Sequence, residues 1–202
     1  AYLSSTNIST YQTYYDLRTT NSPTPTAWRR LVDTIYALNT TPASQLRDKI
    51  ENYMAVDSWL WFLAIENIFA DDDSYFNKGA DYSFYYEVES GRFHPLEHDG
   101  NEAFVAGDVS LSPVFGNTAN NRPILRQFLT NNELKQRYLA HMRTVLAESW
   151  QPAKLLPLIE QFHDLSIQAI LVDTNKNYTM ATYTNDYNAL RNYVTTRYNF
   201  LT

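Results

Sequence analysis

The chain has 202 residues, a formal net charge of −6 at pH 7, no cysteine, and a hydrophobic share of 44%. The length suffices for one large domain with a substantial core. The acidic charge argues against a nucleic-acid partner, which would need a basic surface, and no apolar run approaches the ~18 residues of a membrane span. Without cysteine, disulfides and thiolate metal sites are excluded.

Residues 1–25 are rich in Thr, Ser, Asn and Tyr. They predict an irregular first segment, with a short helix around Tyr11 to Leu17. The segment contains no basic stretch followed by an apolar one, so a signal peptide is not predicted here. A helix is expected to begin near Pro25 and a second one after Pro42, because proline is tolerated in the first turn of a helix.

The segment SWLWFLAIENIF is apolar on nearly all sides and predicts a buried central helix. Asp57, immediately before it, is expected to be its N-cap. Glu66 lies near the C-terminal end of this helix. A buried glutamate needs a partner, and Lys78 or an arginine is expected to supply it.

An aromatic β-hairpin is predicted after the acidic run Asp71 to Asp73. Tyr82 to Val88 and Arg92 to Glu97 read as strands, and Ser90-Gly91 reads as the turn between them. Residues 105–122 contain Gly, Pro and Asn and predict a loop.

The remainder of the chain is predicted to be helical. The expected helix starts are Pro123, Asn131 or Asn132, Pro152, and Thr184 or Asn185. The predicted fold is therefore mainly α, of the α+β class: a helical bundle with one small hairpin, in which residues 1–202 form a single domain.

The acidic run Asp71 to Asp73 is either a solvated loop or a site for a hard cation, because two carboxylates ~4 Å apart repel by roughly 4 kcal/mol. An EF-hand requires glycine at the sixth position, where the sequence has Phe76 or Lys78. Zinc is weakly supported, because His94 and His98 share a strand face without an obvious third ligand. A two-carboxylate glycosidase remains open, whereas a Ser-His-Asp triad has no nucleophile-elbow motif in its favour.

Phosphoryl transfer fits the order of the acidic residues better. That reaction needs metal ions held by acidic or amide side chains and a carboxylate that orients the acceptor hydroxyl. Asp73 follows the buried helix, Asn77 and Asp81 come next, and Asp99 follows the hairpin. The catalytic Asp, the Asn and the metal-binding Asp of protein kinases occur in the same order.

The stretch NIFADDDSYFNKGADYSFYYEVESGRFHPLEHDGNEAF resembles the signature of the CotH family, the spore-coat-protein-H-like atypical kinases. That signature is an acidic DSY-type loop, an N- or D-Y-Y-x-Y strand, and a G-x-F strand ending in a D-x-D or D-x-N pair. The flanking segments are also similar, from VDSWLWFLAIENI to LRNYVTTRYNFL. The resemblance covers nearly the whole chain and implies the C-terminal lobe of a protein-kinase-like fold, with the hairpin carrying the metal-binding Asp.

The resemblance implies transfer of phosphate from ATP, with Mg²⁺ or Mn²⁺, to Ser or Thr of a protein substrate. Asp73 would be the catalytic carboxylate. Asp81, Asp99 and Asn101 would be metal ligands, with Asp99 the principal one. The accessory residues would be Asn77, Lys78 and His98. Asp71 and Asp72 are expected to be solvated neighbours.

Two departures from the family pattern limit these expectations. Glu97-His98 stands where the family usually has Pro-Trp before the metal-binding Asp. Residues 1–25 also lack the family's small lobe with its phosphate-binding Lys, so we expect the chain to be inactive by itself. A non-catalytic extracellular binding or structural module with a kinase-like fold is the second hypothesis. The family resemblance implies a location outside a bacterial cell or on its surface.

Overall fold

The computed structural model describes residues 2–104 and 106–202. Within these residues the chain forms eight α-helices, one short 3-10 helix at Ala106–Asp108 and a two-stranded antiparallel sheet, which confirms the mainly α class. The helices and strands are α1 Ile8–Tyr11, α2 Thr24–Thr40, α3 Ala43–Ile50, α4 Val56–Phe69, β1 Tyr82–Glu87, β2 Arg92–Glu97, α5 Pro123–Thr130, α6 Asn132–Glu148, α7 Pro152–Val172 and α8 Met180–Leu201.

Helix α4 is the buried central helix, as its apolar sequence predicts. It packs against α6 and β2, and nine of its residues are buried. The prediction of Asp57 as its N-cap is wrong. The helix begins two residues earlier, at Val56 after Ala55, whose N–H donates to the Phe93 carbonyl at 3.0 Å. A contact with β2 therefore sets the start of the helix, and Asp57 in the first turn instead accepts from His141 Nε2 at 2.9 Å.

The C-terminal end of α4 is closed by a left-handed residue and a buried arginine. Ala70 has φ 48° and ψ 49°, and its N–H donates to the carbonyls of Asn67 and Glu66. Arg197 of α8 is fully buried and donates to the carbonyls of Asn67 and Ile68. The last carbonyls of a helix lack partners within the helix, and here Arg197 supplies additional donors beside Ala70 N–H, which donates to the Asn67 carbonyl, and the Tyr193 hydroxyl, which donates to the Ile68 carbonyl at 3.2 Å.

The hairpin is confirmed, with β1 one residue shorter than predicted. Its register pairs Tyr82 with Glu97 at one end and Glu87 with Arg92 at the other. Gly91 has φ 70° in the turn, a conformation that glycine adopts without strain.

Asn131, one of the two predicted alternatives, is the N-cap of α6, and its side chain accepts from Leu134 N–H at 3.1 Å. The predicted start of α8 is wrong, because Thr179 caps the helix and Met180 begins it. The predicted first helix is also misplaced, since α1 ends at Tyr11.

Helix α7 is apolar but lies on the surface. By length and composition it could cross a membrane, with a mean hydropathy of 1.2 over an 18-residue window, none of which is buried. A single helix of this kind is weak evidence for a membrane span. The finding nevertheless qualifies the expectation that no segment approaches the required length.

Candidate active site

Three carboxylates meet where α4, the acidic loop and the hairpin converge. Glu66 lies in the last turn of α4, Asp71 follows that helix, and Glu97 ends β2. One oxygen from each lies within 4.8 Å of the other two. Glu66 and Asp71 are each only 3% exposed, so two of the three charges are removed from water.

Backbone geometry brings the carboxylates together. The left-handed turn at Ala70 returns the chain, so that Asp71 N–H donates to the Glu66 carbonyl at 3.3 Å. The hairpin register places Glu97 opposite Tyr82, immediately after Asp81. The site therefore depends on the helix end and on the strand pairing.

Burial and mutual repulsion favour protons on these groups. Burial raises the pKa of Glu66 to about 9, with further contributions from a carboxyl–carboxyl hydrogen bond to Glu97 and from the charges of Glu97 and Asp71. Burial also raises the pKa of Asp71, as do the charges of Glu97, Asp81 and Asp73. A hydrogen bond from the Ser74 side chain lowers the pKa of Glu66 and so opposes this shift, while Glu66 Oε2 has no hydrogen-bond partner among the described residues. Without a cation, the site retains a proton at neutral pH.

Lys78 neutralises the neighbouring aspartates and not Glu66, contrary to the sequence prediction. Its Nζ lies 3.0 Å from Asp72 Oδ2 and also contacts the Asp73 carboxylate. Asn77 Nδ2 donates to Asp72 as well. Together, Lys78 and Asn77 lower the pKa of Asp72. Glu66 is left as a buried acid without a cationic partner among the residues that the structure describes.

Asp73, the predicted catalytic residue, is partly buried at the edge of the trio. Its N–H donates to Asp71 Oδ1 at 3.2 Å, so the loop turns directly beside Asp71. The expectation that Asp71 is solvated is wrong, since the loop folds it inward. Asp72 is partly exposed and ion-paired.

The residues predicted as metal ligands border the same site. Asp81 contributes to the negative potential at Asp71, and its carbonyl accepts from His98 N–H at 3.2 Å. Asp99 and Asn101 are exposed, and Asp99 Oδ1 accepts from Asn101 N–H at 3.4 Å. The backbone between them approaches the trio, because a Cβ on Gly100 would lie 4.0 Å from Asp71 Oδ2.

The two histidines considered for zinc have separate surroundings. His94 lies within β2, and its Nε2 is 3.4 Å from the carboxylate of Glu87 on the paired strand. His98 follows the strand and is exposed. Among the described residues, neither histidine belongs to a group of three potential metal ligands.

Sequence reasoning missed Asp71 and Glu97 as members of the site and noted Glu66 only as a buried acid. A signal for Glu97 was present, because the hairpin prediction already placed it at the end of a strand beside Asp81. Asp71 could not be separated from Asp72 and Asp73 without the helix end at Ala70.

The donor set suits a hard divalent cation. Mg²⁺ and Mn²⁺ prefer carboxylate oxygens, whereas zinc sites favour histidine and cysteine. The trio offers three carboxylates and an unpartnered buried oxygen on Glu66. A cation between them would replace the proton that the site otherwise retains.

Comparison with protein families identifies the family to which the sequence is similar. The family model described as CotH kinase protein matches residues 2–201, nearly the whole chain. A search of curated proteins finds no match.

Proposed function

The chain belongs to the CotH kinase protein family, and on that premise we propose that it is the lobe of an atypical protein kinase that holds the catalytic metal. In the full-length protein it would support ATP- and Mg²⁺-dependent phosphoryl transfer to Ser or Thr of a protein substrate. The observation that carries the proposal is the convergence of Glu66, Asp71 and Glu97 within 4.8 Å.

In this proposal Asp71 and Glu97 are the principal ligands, and Glu66 supplies a third oxygen from the end of α4. Asp81 adds negative charge nearby, and Asp99 with Asn101 would complete the ligand set from the loop after β2. A divalent cation at this position would neutralise the charge that develops on the transferred phosphoryl group.

Asp73 is proposed to orient the acceptor hydroxyl. Its carboxylate is engaged by Lys78, so Lys78 would move towards a phosphate when nucleotide is bound and release Asp73. Asn77 lies next to this pair and, with Asp72, keeps Lys78 close to the loop. His98 would contribute only through its main chain, because its N–H donates to the Asp81 carbonyl and so helps to position Asp81.

The test is phosphate incorporation from labelled ATP by the full-length protein that contains this chain. Glu97→Gln and Asp73→Asn are each expected to reduce the rate at least about 100-fold, because each removes a group required in the transition state. Glu89→Gln, an exposed change at the hairpin turn, is the matched control and should retain the wild-type rate. Equal incorporation by Glu97→Gln and wild type would sink the assignment.

A second measurement tests whether Glu97 or Asp99 contributes more to metal binding. Titration of Mn²⁺ into this chain should show a loss of affinity of about tenfold or more for Glu97→Gln. Asp99→Asn should have a smaller effect, because Asp99 is not among the three carboxylates whose oxygens converge within 4.8 Å. The reverse order would identify Asp99 as the principal ligand, as the sequence resemblance implies.

A non-catalytic extracellular binding or structural module is the second candidate. The ion pairs of Lys78 with Asp72 and Asp73 favour this second candidate, because the Asp73 carboxylate that phosphoryl transfer would use is already paired with Lys78. Mn²⁺ binding without any phosphate incorporation by the full-length protein would support this candidate.

A further inference from the structure

Arg122 precedes the first turn of α5, a position where an arginine does not stabilise the helix. Its side chain makes no cap hydrogen bond to the first turn, whereas Asn, Asp and Ser are preferred at this position because they do. A positive charge there also faces the positive end of the helix dipole. Helix α5 therefore gives no reason for this arginine, and its contacts with another part of the chain do.

Those contacts are with the acidic loop that follows α4. Arg122 Nη2 donates to the Asn77 carbonyl, while Nη1 donates to the Asn121 carbonyl at 3.1 Å. The guanidinium packs so closely against Gly79 that a Cβ there would lie 2.8 Å from both Cζ and Nη2 of Arg122. Arg122 therefore contacts the residues on both sides of Lys78.

The same part of the loop folds back onto the aspartates. Three successive N–H groups donate to main-chain carbonyls earlier in the loop: Lys78 to Asp72 at 3.1 Å, Gly79 to Ser74 at 2.8 Å and Ala80 to Asp73 at 2.9 Å. This turn brings the Lys78 side chain to Asp72 and Asp73. A movement of the chain at Asn77 or Gly79 would therefore move Lys78 relative to Asp73.

The first half of the loop is held by other contacts. Asp72 N–H donates to the Glu102 carbonyl at 3.3 Å, and the hydroxyl of the buried Tyr75 accepts from Ile124 N–H at 3.0 Å. Neither contact reaches residues 77–80. Within the part of the chain that the structure describes, Arg122 alone forms a hydrogen bond to these four residues from outside the loop.

We propose that Arg122 is a positioning residue of the candidate site, which fixes the acidic loop so that Lys78 and Asp73 keep their relative position. The consequence for catalysis rests on the proposed function, in which Asp73 orients the acceptor hydroxyl, whereas the holding of the loop is a property of this chain by itself. The three metal-binding carboxylates are positioned by the end of α4 and by the hairpin, so Mn²⁺ binding does not depend on Arg122.

Chemical labelling of Lys78 in this chain tests the proposal. Hydrogen bonds to Asp73 and Asp72 raise the pKa of the Lys78 amine and so protect it from acetic anhydride, which reacts with the neutral amine. In Arg122→Met this labelling should rise about tenfold, which corresponds to a fall of one pKa unit. Lys49 is the internal reference, because it is exposed and makes no ion pair with the residues that the structure describes.

The direction of this change separates positioning from simple electrostatics. Removing a nearby positive charge would by itself favour the protonated form of Lys78 and reduce its labelling, which is opposite to the effect of losing the Asp73 pair. Gly79→Ala is the second variant, and it should also increase the labelling because its Cβ displaces the guanidinium. Arg126→Met is the matched control: Arg126 lies one turn later and is partly exposed, and its Nε has no hydrogen-bond partner among the described residues. This variant should be labelled like wild type.

Two further measurements distinguish positioning from a general loss of structure. Mn²⁺ affinity of Arg122→Met should stay within about twofold of wild type, whereas kcat for phosphate incorporation by the full-length protein should fall at least about tenfold. Unchanged or reduced Lys78 labelling in Arg122→Met, an equal increase in Arg126→Met, or a parallel loss of Mn²⁺ affinity would overturn the proposal. Increased labelling in a chain whose full-length wild type incorporates no phosphate would support the role of Arg122 in the loop and count against the proposed function alone.

Discussion

At the scale of single residues, Glu66 decides how the site behaves without a cation. Its neighbours Asp71 and Glu97 are also acidic, and Lys78 is committed elsewhere. The remaining way to lower the charge is to bind a proton, which also allows a carboxyl–carboxyl hydrogen bond with Glu97. Proton and metal should therefore compete for the same position.

The raised pKa of Glu66 predicts how stability changes with pH. The folded-state pKa is about 9, compared with an ordinary value of 4.5. Between these values the folded protein holds a proton that the unfolded chain has released, so its free energy of unfolding should decrease as pH rises. The slope approaches about 1.4 kcal/mol per pH unit for one proton. Glu66→Gln removes this contribution and should flatten the profile.

Urea unfolding followed by tryptophan fluorescence from pH 5 to pH 9, without divalent cations, measures this effect. Glu160→Gln, an exposed change on α7, should keep the wild-type slope. Asp71 contributes in the same direction, so some slope should remain in Glu66→Gln. A profile for Glu66→Gln as steep as that of wild type would mean that Glu66 is ionised in the metal-free protein.

At the scale of elements, α4 and β2 behave as one unit. Trp59 Nε1 donates to the Phe93 carbonyl at 2.9 Å, and the same carbonyl accepts from Ala55 N–H. The Trp59 ring packs against Phe84 of β1 with centroids 4.8 Å apart. Because Glu66 comes from α4 and Glu97 from β2, this contact sets the separation of two site carboxylates.

Trp59→Phe should therefore weaken both the fold and the site. The change removes a hydrogen bond and leaves a cavity in a fully buried position. We expect a loss of about 2 kcal/mol in the free energy of unfolding and a Mn²⁺ affinity reduced about tenfold. Denaturant titration and calorimetric Mn²⁺ titration measure the two effects.

Trp61→Phe provides the comparison, because Trp61 is partly exposed and stacks on His141 of α6. It should cost less than about 1 kcal/mol and leave Mn²⁺ binding unchanged. If Trp59→Phe lowered stability while Mn²⁺ affinity stayed at the wild-type value, the hairpin would be held to α4 by other contacts.

The elements also show what the sequence could and could not predict. The apolar run of α4 and the Ser90-Gly91 turn carry local signals, and both elements were placed correctly. The starts of α4 and α8 were missed, because a contact with Phe93 fixes the first and the Thr179 cap fixes the second. Arg197 was beyond prediction, since a charge that is buried against main-chain carbonyls far away in sequence leaves no periodic pattern.

In the candidate site, too, features with a local sequence signal were predicted, and features that depend on distant contacts were not. Local order along the chain indicated the acidic loop and the hairpin, and with them the kinase family that comparison confirms. Which carboxylates converge depends on left-handed residues in the loops, Ala70 among them, and on strand register. The hairpin prediction already contained the register, but the left-handed turn at Ala70 has no local signal, so the family resemblance selected Asp99, while the structure brings Glu97 together with Asp71.

At the scale of the whole molecule, the buried apolar residues form two clusters. The larger is built around α4 and includes residues from α2, through Leu38, to α8. The smaller joins the first segment to α2, and its buried members are Tyr11, Trp28, Val32 and Ile35. Contacts of α2 with α3 and α5 connect the two clusters. A small peripheral cluster is expected to open more readily than the main core.

Tyr11→Ala should release the first segment without unfolding the metal-binding part. Tyr11 is fully buried, and its hydroxyl donates to the Ser5 carbonyl at 2.9 Å. Truncation removes that hydrogen bond and most of the cluster's contacts, a local loss of about 3 kcal/mol. Hydrogen exchange across residues 2–40 should accelerate about 100-fold, while α4 and α6 keep their protection.

Tyr14→Ala is the matched control, because Tyr14 is 71% exposed, and it should exchange like wild type. Equal acceleration in α4 would show that the two clusters unfold together as one cooperative unit.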